Sequence, residues 1–375
     1  MLLNAADKAL WRLALPMIFS NITVPLLGLV DTAVIGHLDS PVYLGGVAVG
    51  ATATSFLFML LLFLRMSTTG LTAQAWGAKD PQRLARALVQ PLALALGAGV
   101  LIILLRLPLI DLALHIVGGS EAVLEQARRF LEIRWLSAPA SLANLVLLGW
   151  LLGVQYARAP VILLVVGNLL NIVLDLWLVM GLRMNVQGAA LATVTAEYAT
   201  LIIGLLMAKR VLTLRGVSLA MLKNAWRGDL RRLLALNRDI MLRSLLLQLC
   251  FGALTVFGAR LGSDIVAVNA VLMTMLTFTA YALDGFAYAV EAHSGQAYGA
   301  RDGSQLLEVW RAACRQSGMV ALAFALIYSL AGQYIIALLT SLPSLQQLAD
   351  RYLIWQTILP VVGVWCYLLD RKSVV

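Results

Sequence analysis

The chain has 375 residues, of which 61% are hydrophobic and only 13% charged, and it carries a formal net charge of +9. Soluble domains carry roughly 25% charged residues. The charge-free runs 40–64, 135–157, 159–174, 184–196, 265–283 and 316–349 are long enough to form the roughly 20-residue apolar stretches that a spanning helix needs. A soluble domain, a nucleic-acid binder and a short-stranded membrane barrel are thereby set aside, and Cys250, Cys314 and Cys366 have neither disulfide nor zinc spacing.

Ten helices are expected, over 9–36, 44–71, 86–109, 127–155, 160–180, 187–208, 232–259, 264–292, 309–338 and 347–370. Lys and Arg gather in alternate loops, including Lys8, Arg12, Lys79, Arg83, Arg86 and Arg158 and the 209–232 segment. The opposite loops hold only Arg183 and Arg260. By the positive-inside rule both termini are cytoplasmic, in a multi-pass inner-membrane protein.

The first helix holds Asn21, Thr23 and Asp31, with Pro16 and Pro25 as bend points. Asp31 either faces the interior or sits near the outer surface. An ionisable group at bilayer depth costs about 2.5–3.5 kcal/mol on insertion scales, so it needs a partner, a cavity or a function. The fifth helix is polar only at Asn168, Asn171 and Asp175, a spacing that puts all three on one face, as a cavity lining would. The sixth offers Thr193, Glu197 and Thr200 on one face, although hydroxyls also bond back to the preceding turn. In the eighth, Asp284 is deep, whereas Glu291 and His293 read as loop-facing charges. Arg65 is expected to snorkel and Asp370 to lie at the surface.

The segments AQAWGAKDPQRL (73–84) and GQAYGARDGSQL (295–306) are copies 222 residues apart, and ARRFL (127–131) pairs with ADRYL (349–353) at the same offset. The chain reads as two parallel repeats, an architecture suited to a cavity between lobes and to alternating access. The first lobe is 1–208, the linker 209–231 and the second lobe 232–375. Residue 370 pairs with residue 148, so the second lobe is expected to be incomplete, as in a C-terminally shortened chain. Leu219, Leu222, Trp226, Leu230 and Leu233 share one face of the linker, which predicts an interfacial helix. A lipid-sensing role for it is the weaker alternative to a plain linker.

No nucleotide-binding loop and no nucleophile–base pair or metal cluster is evident, which argues against an ATP-driven pump and against an enzyme. No cofactor is expected beyond a proton or sodium as coupling ion.

PMIFSNITVPLLGLVDTAVIGHL in the first helix, NLLNIVLDLWLV in the fifth, VQGAALATV in the sixth and the duplicated QAWGAKD/QAYGARD loop resemble the multidrug and toxic compound extrusion (MATE) family, nearest its DinF-like branch. The resemblance covers residues 5–370. It implies two six-helix lobes, export of organic cations or other toxic small molecules, and exchange against protons or sodium. It places the coupling site on Asp31 and Asp175 with Asn171 and Thr193, and the bend of the first helix at Pro16. A substrate cavity would use Asn168, Asn21, Glu197 and Asp284. The helix that carries a second-lobe acid in related branches has Asp239 only at its start here, while Asp370 matches an acid of the tenth helix. A lipid or polysaccharide flippase of the same superfamily would prefer a basic groove, and an inactive remnant of a transporter is the other alternative. Substrate identity, oligomeric state and the choice of ion are not legible.

Overall fold

The computed structural model describes residues 4–36, 38, 40–228, 230–339 and 341–374; side chains at 23–33, 36, 41, 219, 255, 256, 259, 263, 266, 270, 339 and 371–374 lie outside the description. Helices dominate it. In order they are α1 (Ala5–Gly36), α2 (Pro41–Leu60), α3 (Phe63–Gly77), α4 (Pro81–Leu104), α5 (Arg106–Val117), α6 (Glu121–Arg134), α7 (Ala138–Gly153) and α8 (Arg158–Asp175). They continue with α9 (Asn185–Leu214), α10 (Leu219–Asn224), α11 (Leu230–Leu261), α12 (Ser263–Gly299), α13 (Gly303–Leu339) and α14 (Pro343–Val374). A short 3₁₀ turn, Trp135–Ser137, joins α6 to α7, and a π-helical turn, Leu176–Gly181, extends α8.

Local chemistry sets several of the boundaries. Ser40 caps α2 by accepting from the Val42 N–H, with Pro41 at the first helical position. Asp80 caps α4 by accepting from the Gln82 and Arg83 N–H groups, with Pro81 beside it. Side-chain oxygens there satisfy amides that the helix leaves open, and proline costs nothing at that position. The duplicated loop repeats this geometry: Lys79 (φ 52°) and Arg301 (φ 55°) both end a helix in the left-handed region, and Asp80 and Asp302 both cap the next.

Among the described residues eight helical stretches are long and apolar enough to cross a membrane: Val42–Gly77, Pro81–Leu104, Glu121–Gly153, Arg158–Gly181, Asn185–Leu214, Ala267–Gly299, Gly303–Leu338 and Pro343–Asp370. The ten expected segments all fall on helices, but α1 and α11 are outside this set. α11 carries Arg231, Arg232, Arg238, Asp239 and Arg243 in its first half. The expected 44–71 helix is broken at Leu61–Leu62 into α2 and α3, and part of the expected 110–126 loop is helix α5. Between α9 and α11 the linker forms only the six-residue helix α10, and Trp226 beyond it is exposed and outside that helix.

α3 packs against α4, α7 and α12, while α1 packs against α8, α12 and α13, so the sequence-distant parts are interlocked through α12. One core joins α3, α4 and α7, where Trp150 is fully buried and its Nε1 donates to the Leu84 carbonyl at 3.1 Å. A second joins α1, α12 and α13 around Trp11 and Phe286, whose rings meet edge to face 4.7 Å apart.

The two copies of the duplicated loop touch each other. A Cβ on Gly77 would run into the Gln296 carbonyl, and one on Gly299 into the Gln74 carbonyl. The 222-residue offset exchanges these two contacts, so the seam is reciprocal, as a two-fold contact is. Glycine is required on both sides because the backbones meet with no room for a side chain.

Two charges lie elsewhere than expected. Glu291 is fully buried (0% exposed) rather than loop-facing, because α12 runs on to Gly299 and is enclosed on that side. Arg65 stacks its guanidinium 4.3 Å from the centre of the Tyr288 ring instead of reaching for the surface.

Candidate functional site

A cavity of about 760 Å³ lies within the first half of the chain. Its wall draws on α2, α6, α7, α8 and α9, with Ile35 of α1. It is mostly apolar, lined by side chains such as Leu44, Val47, Phe58, Met59, Leu145 and Leu164. A few polar groups converge on it, the composition expected of a small-molecule site.

The polar faces read from the sequence meet there. Asn168 and Asn171 come from α8, and Thr193, Glu197 and Thr200 from α9. The Thr193 hydroxyl reaches Asn171 Oδ1 at 3.5 Å and bonds back to the Ala189 carbonyl at 3.1 Å; Thr200 bonds back to Ala196 at 2.8 Å. The helix thus partly satisfies its own hydroxyls, as Ser and Thr do in apolar helices.

Asp175, one turn beyond Asn171, is 1% exposed and is the last α-helical residue before the π-helical turn. Such turns shift helical register and recur at functional sites. Asp31 and Pro25 fall in α1, but their side chains lie outside the described residues. α1 is helical through both prolines; Pro16 is half-buried, and its carbonyl accepts from the Ser20 hydroxyl at 2.8 Å.

Asn21 and Asp284 do not line the cavity. The Asn21 amide donates to the Tyr281 carbonyl at 3.2 Å and ties α1 to α12; Asp284 is half-buried on α12. Asp370, still partly exposed as expected, pairs with Arg243 and joins α14 to α11. Half-buried His293 places Nε2 3.2 Å from the Ala9 carbonyl.

Sequence reading missed Arg134, Asn144 and Trp135. Arg134 approaches Glu197 to 3.7 Å, with side chains 12% and 26% exposed, and lies 5.4 Å from the centre of the Phe58 ring. The Asn144 amide donates to the Glu197 carboxylate at 3.2 Å and to its backbone carbonyl at 3.1 Å. Trp135 Nε1 donates to the Thr54 hydroxyl at 3.0 Å and braces the wall. The available signal was an arginine inside a predicted span, which needs an acid partner. Among the described residues the cavity is therefore not simply acidic, because Glu197 on its wall is balanced by Arg134. Among the described residues no group of three His, Cys, Asp or Glu is placed to hold a metal ion.

The MatE family model matches residues 16–177 and 240–368. The chain belongs to the MatE family. It is 88% identical over 368 residues to DNA damage-inducible protein F of Escherichia coli (strain K12), a match that covers 98% of this chain and 80% of that protein. It is also 29% identical over 196 residues to a probable multidrug resistance protein NorM of Thermotoga maritima, covering 51% of this chain and 42% of the other. Among solved structures, a MATE in the straight conformation superposes with a TM-score of 0.86 at 24% identity, covering 99% of this chain and 83% of that one. An outward-facing multidrug resistance MATE family transporter of the MOP superfamily superposes at 0.83, also at 24% identity, covering 98% and 82%. At that identity these structures establish the MATE fold. The protein is a multi-pass membrane member of this family.

Proposed function

We propose that the protein is a secondary active exporter of organic cations or other toxic small molecules, working by alternating access and driven by proton or sodium entry. The observation that carries this reading is the cavity of about 760 Å³, with the Asn168–Asn171 and Thr193–Glu197 faces on its wall and Asp175 buried one turn away. Family membership and the multidrug-resistance relative point the same way. In this reading Asp31, Asp175, Asn171 and Thr193 form the coupling site, and Asn168 and Glu197 contact substrate. A carboxylate that exchanges a proton for a cation couples the two fluxes. Each charge entering is worth about 2.3 kcal/mol per 100 mV of membrane potential.

The proposed architecture has ten spans in two lobes, 1–208 and 232–375, joined by 209–231, with both termini in the cytoplasm of a cell whose inner membrane holds it. The reciprocal glycine seam between the two copies supports the two-lobe division.

The test is substrate-triggered proton or sodium movement in proteoliposomes, read by a pH dye or ion-sensitive electrode on adding a lipophilic organic cation. Asp175→Asn and Asp31→Asn are each expected to abolish the signal while inserting normally. Wild-type rates in both variants would overturn the reading.

A further inference from the structure

A second, smaller cavity, about 110 Å³, lies away from the first, where α3, α4 and the start of α11 meet. Its polar lining is Arg83, Arg86 and Gln90 of α4 and Arg232 of α11, with no acid among the lining residues. Among the described residues none of the three arginines takes part in an ion pair. Arg232 bonds only weakly, to the neutral Gln74 Oε1 at 3.4 Å, and Arg86 Nε is buried with no hydrogen-bond partner.

The stretch that links α10 to α11 is tied to this place. Gln90 Nε2 donates to the Trp226 carbonyl at 3.3 Å. Gly228, at φ +142°, lets the chain pass directly over Arg86, whose guanidinium a Cβ there would strike. Among the described residues the arginine thus meets packed backbone and no counter-charge. Three like charges converging on one cavity repel each other, and no acid is among its lining residues, so the arrangement suits an anion that neither α4 nor α11 supplies. Arginine forks match the oxygens of a phosphate group and are weakly hydrated enough to bind it at a partly buried site. Basic pockets between membrane helices at the aqueous boundary hold phospholipid headgroups by this chemistry. Exposed Trp226 next to the pocket fits a boundary position, where Trp sits with one end apolar and the other wet.

We propose that Arg83, Arg86 and Arg232, with Gln90 fixing the adjoining chain, bind a phosphate group, presented by an anionic phospholipid headgroup or by free phosphate in the aqueous phase. The site is separate from the transport cavity and does not depend on what that cavity carries.

The experiment uses the full chain in phosphatidylcholine nanodiscs, in phosphate-free buffer, with the thermal unfolding midpoint as the readout. Phosphatidylglycerol is added to the disc in one arm and inorganic phosphate to the buffer in the other. The expected result is a raised midpoint that is lost in Arg83→Gln/Arg86→Gln and kept in Lys223→Gln/Arg227→Gln. The control pair removes the same charge from exposed linker positions. A shift with phosphatidylglycerol alone assigns the site to a lipid headgroup, and one with inorganic phosphate assigns it to free phosphate. No shift in either arm, or equal loss in both double variants, overturns the proposal. Should the α4 double variant not fold, Arg232→Gln, at the exposed mouth, carries the same comparison. Because transport is not read, a failed flux assay leaves this result interpretable.

Discussion

Glu197 has two neighbours that set its charge balance: the Arg134 guanidinium at 3.7 Å and the Asn144 amide at 3.2 Å. Removing Arg134 leaves one uncompensated carboxylate on the wall of a mostly apolar cavity. Arg134→Gln is expected to tighten binding of a lipophilic cation roughly tenfold, about 1.4 kcal/mol, and Glu197→Gln, which leaves Arg134 unopposed, to weaken it. A fluorescent-cation titration in detergent measures this, and equal affinities in wild type and Arg134→Gln would refute it. Asn168, Asn171, Thr193 and Glu197 were legible because polar groups in an apolar helix stand out and helical spacing fixes their common face. Arg134 stood inside the expected 127–155 helix but was passed over, because it ends the charged stretch Arg128–Arg134. Asn21 shows the limit of the method: its polarity announces a need for a partner, but not that the partner is the Tyr281 carbonyl on another helix.

At the scale of elements, the repeat was legible and its consequence was not. Matching QAWGAKD to QAYGARD shows duplication; that the two copies pack glycine to carbonyl in both directions is a tertiary fact. Gly77→Ala and Gly299→Ala each force two backbones apart, and each is expected to destabilise the protein by about 1–3 kcal/mol. Equivalent losses in unfolding midpoint are expected because the contacts are reciprocal. Gly97→Ala, where a Cβ meets nothing, is the matched control. A loss no larger than the control's at either position would contradict the seam. The break between α2 and α3 left no mark in the sequence, since Phe58–Leu64 contains neither glycine nor proline. The π-helical turn after Asp175 was equally silent, because it shifts hydrogen-bond register without a distinctive residue.

At the scale of the molecule, polar ties hold distant segments together. Trp11 donates to Gln316 at 3.0 Å, Gln155 to Gln296 at 2.6 Å, and Arg315 to Asp7 at 2.6 Å. Burial pushes the Asp7 carboxyl up. The hydrogen bonds from Arg315 and the Asn4 N–H, together with the Arg315 charge, outweigh it and hold the group below its ordinary 3.8. A depressed carboxylate stabilises the fold above its unfolded pKa and loses that contribution as pH falls through the folded value. The gap in unfolding midpoint between wild type and Asp7→Asn is therefore expected to be constant near neutrality and to close in acid. A gap that does not change with pH would exclude the pair as its source. The membrane class and the repeat were readable from charge-free runs and self-similarity. The interlocking through α12 was not, since nothing local says which helix meets which. The glycine seam also has an electrical meaning. A water molecule needs room and two or more polar partners, and where a glycine Cα rests on a carbonyl there is neither. The joint is therefore dry at those two contacts, and under the proposed proton coupling it is expected to pass no water-borne proton between the two copies.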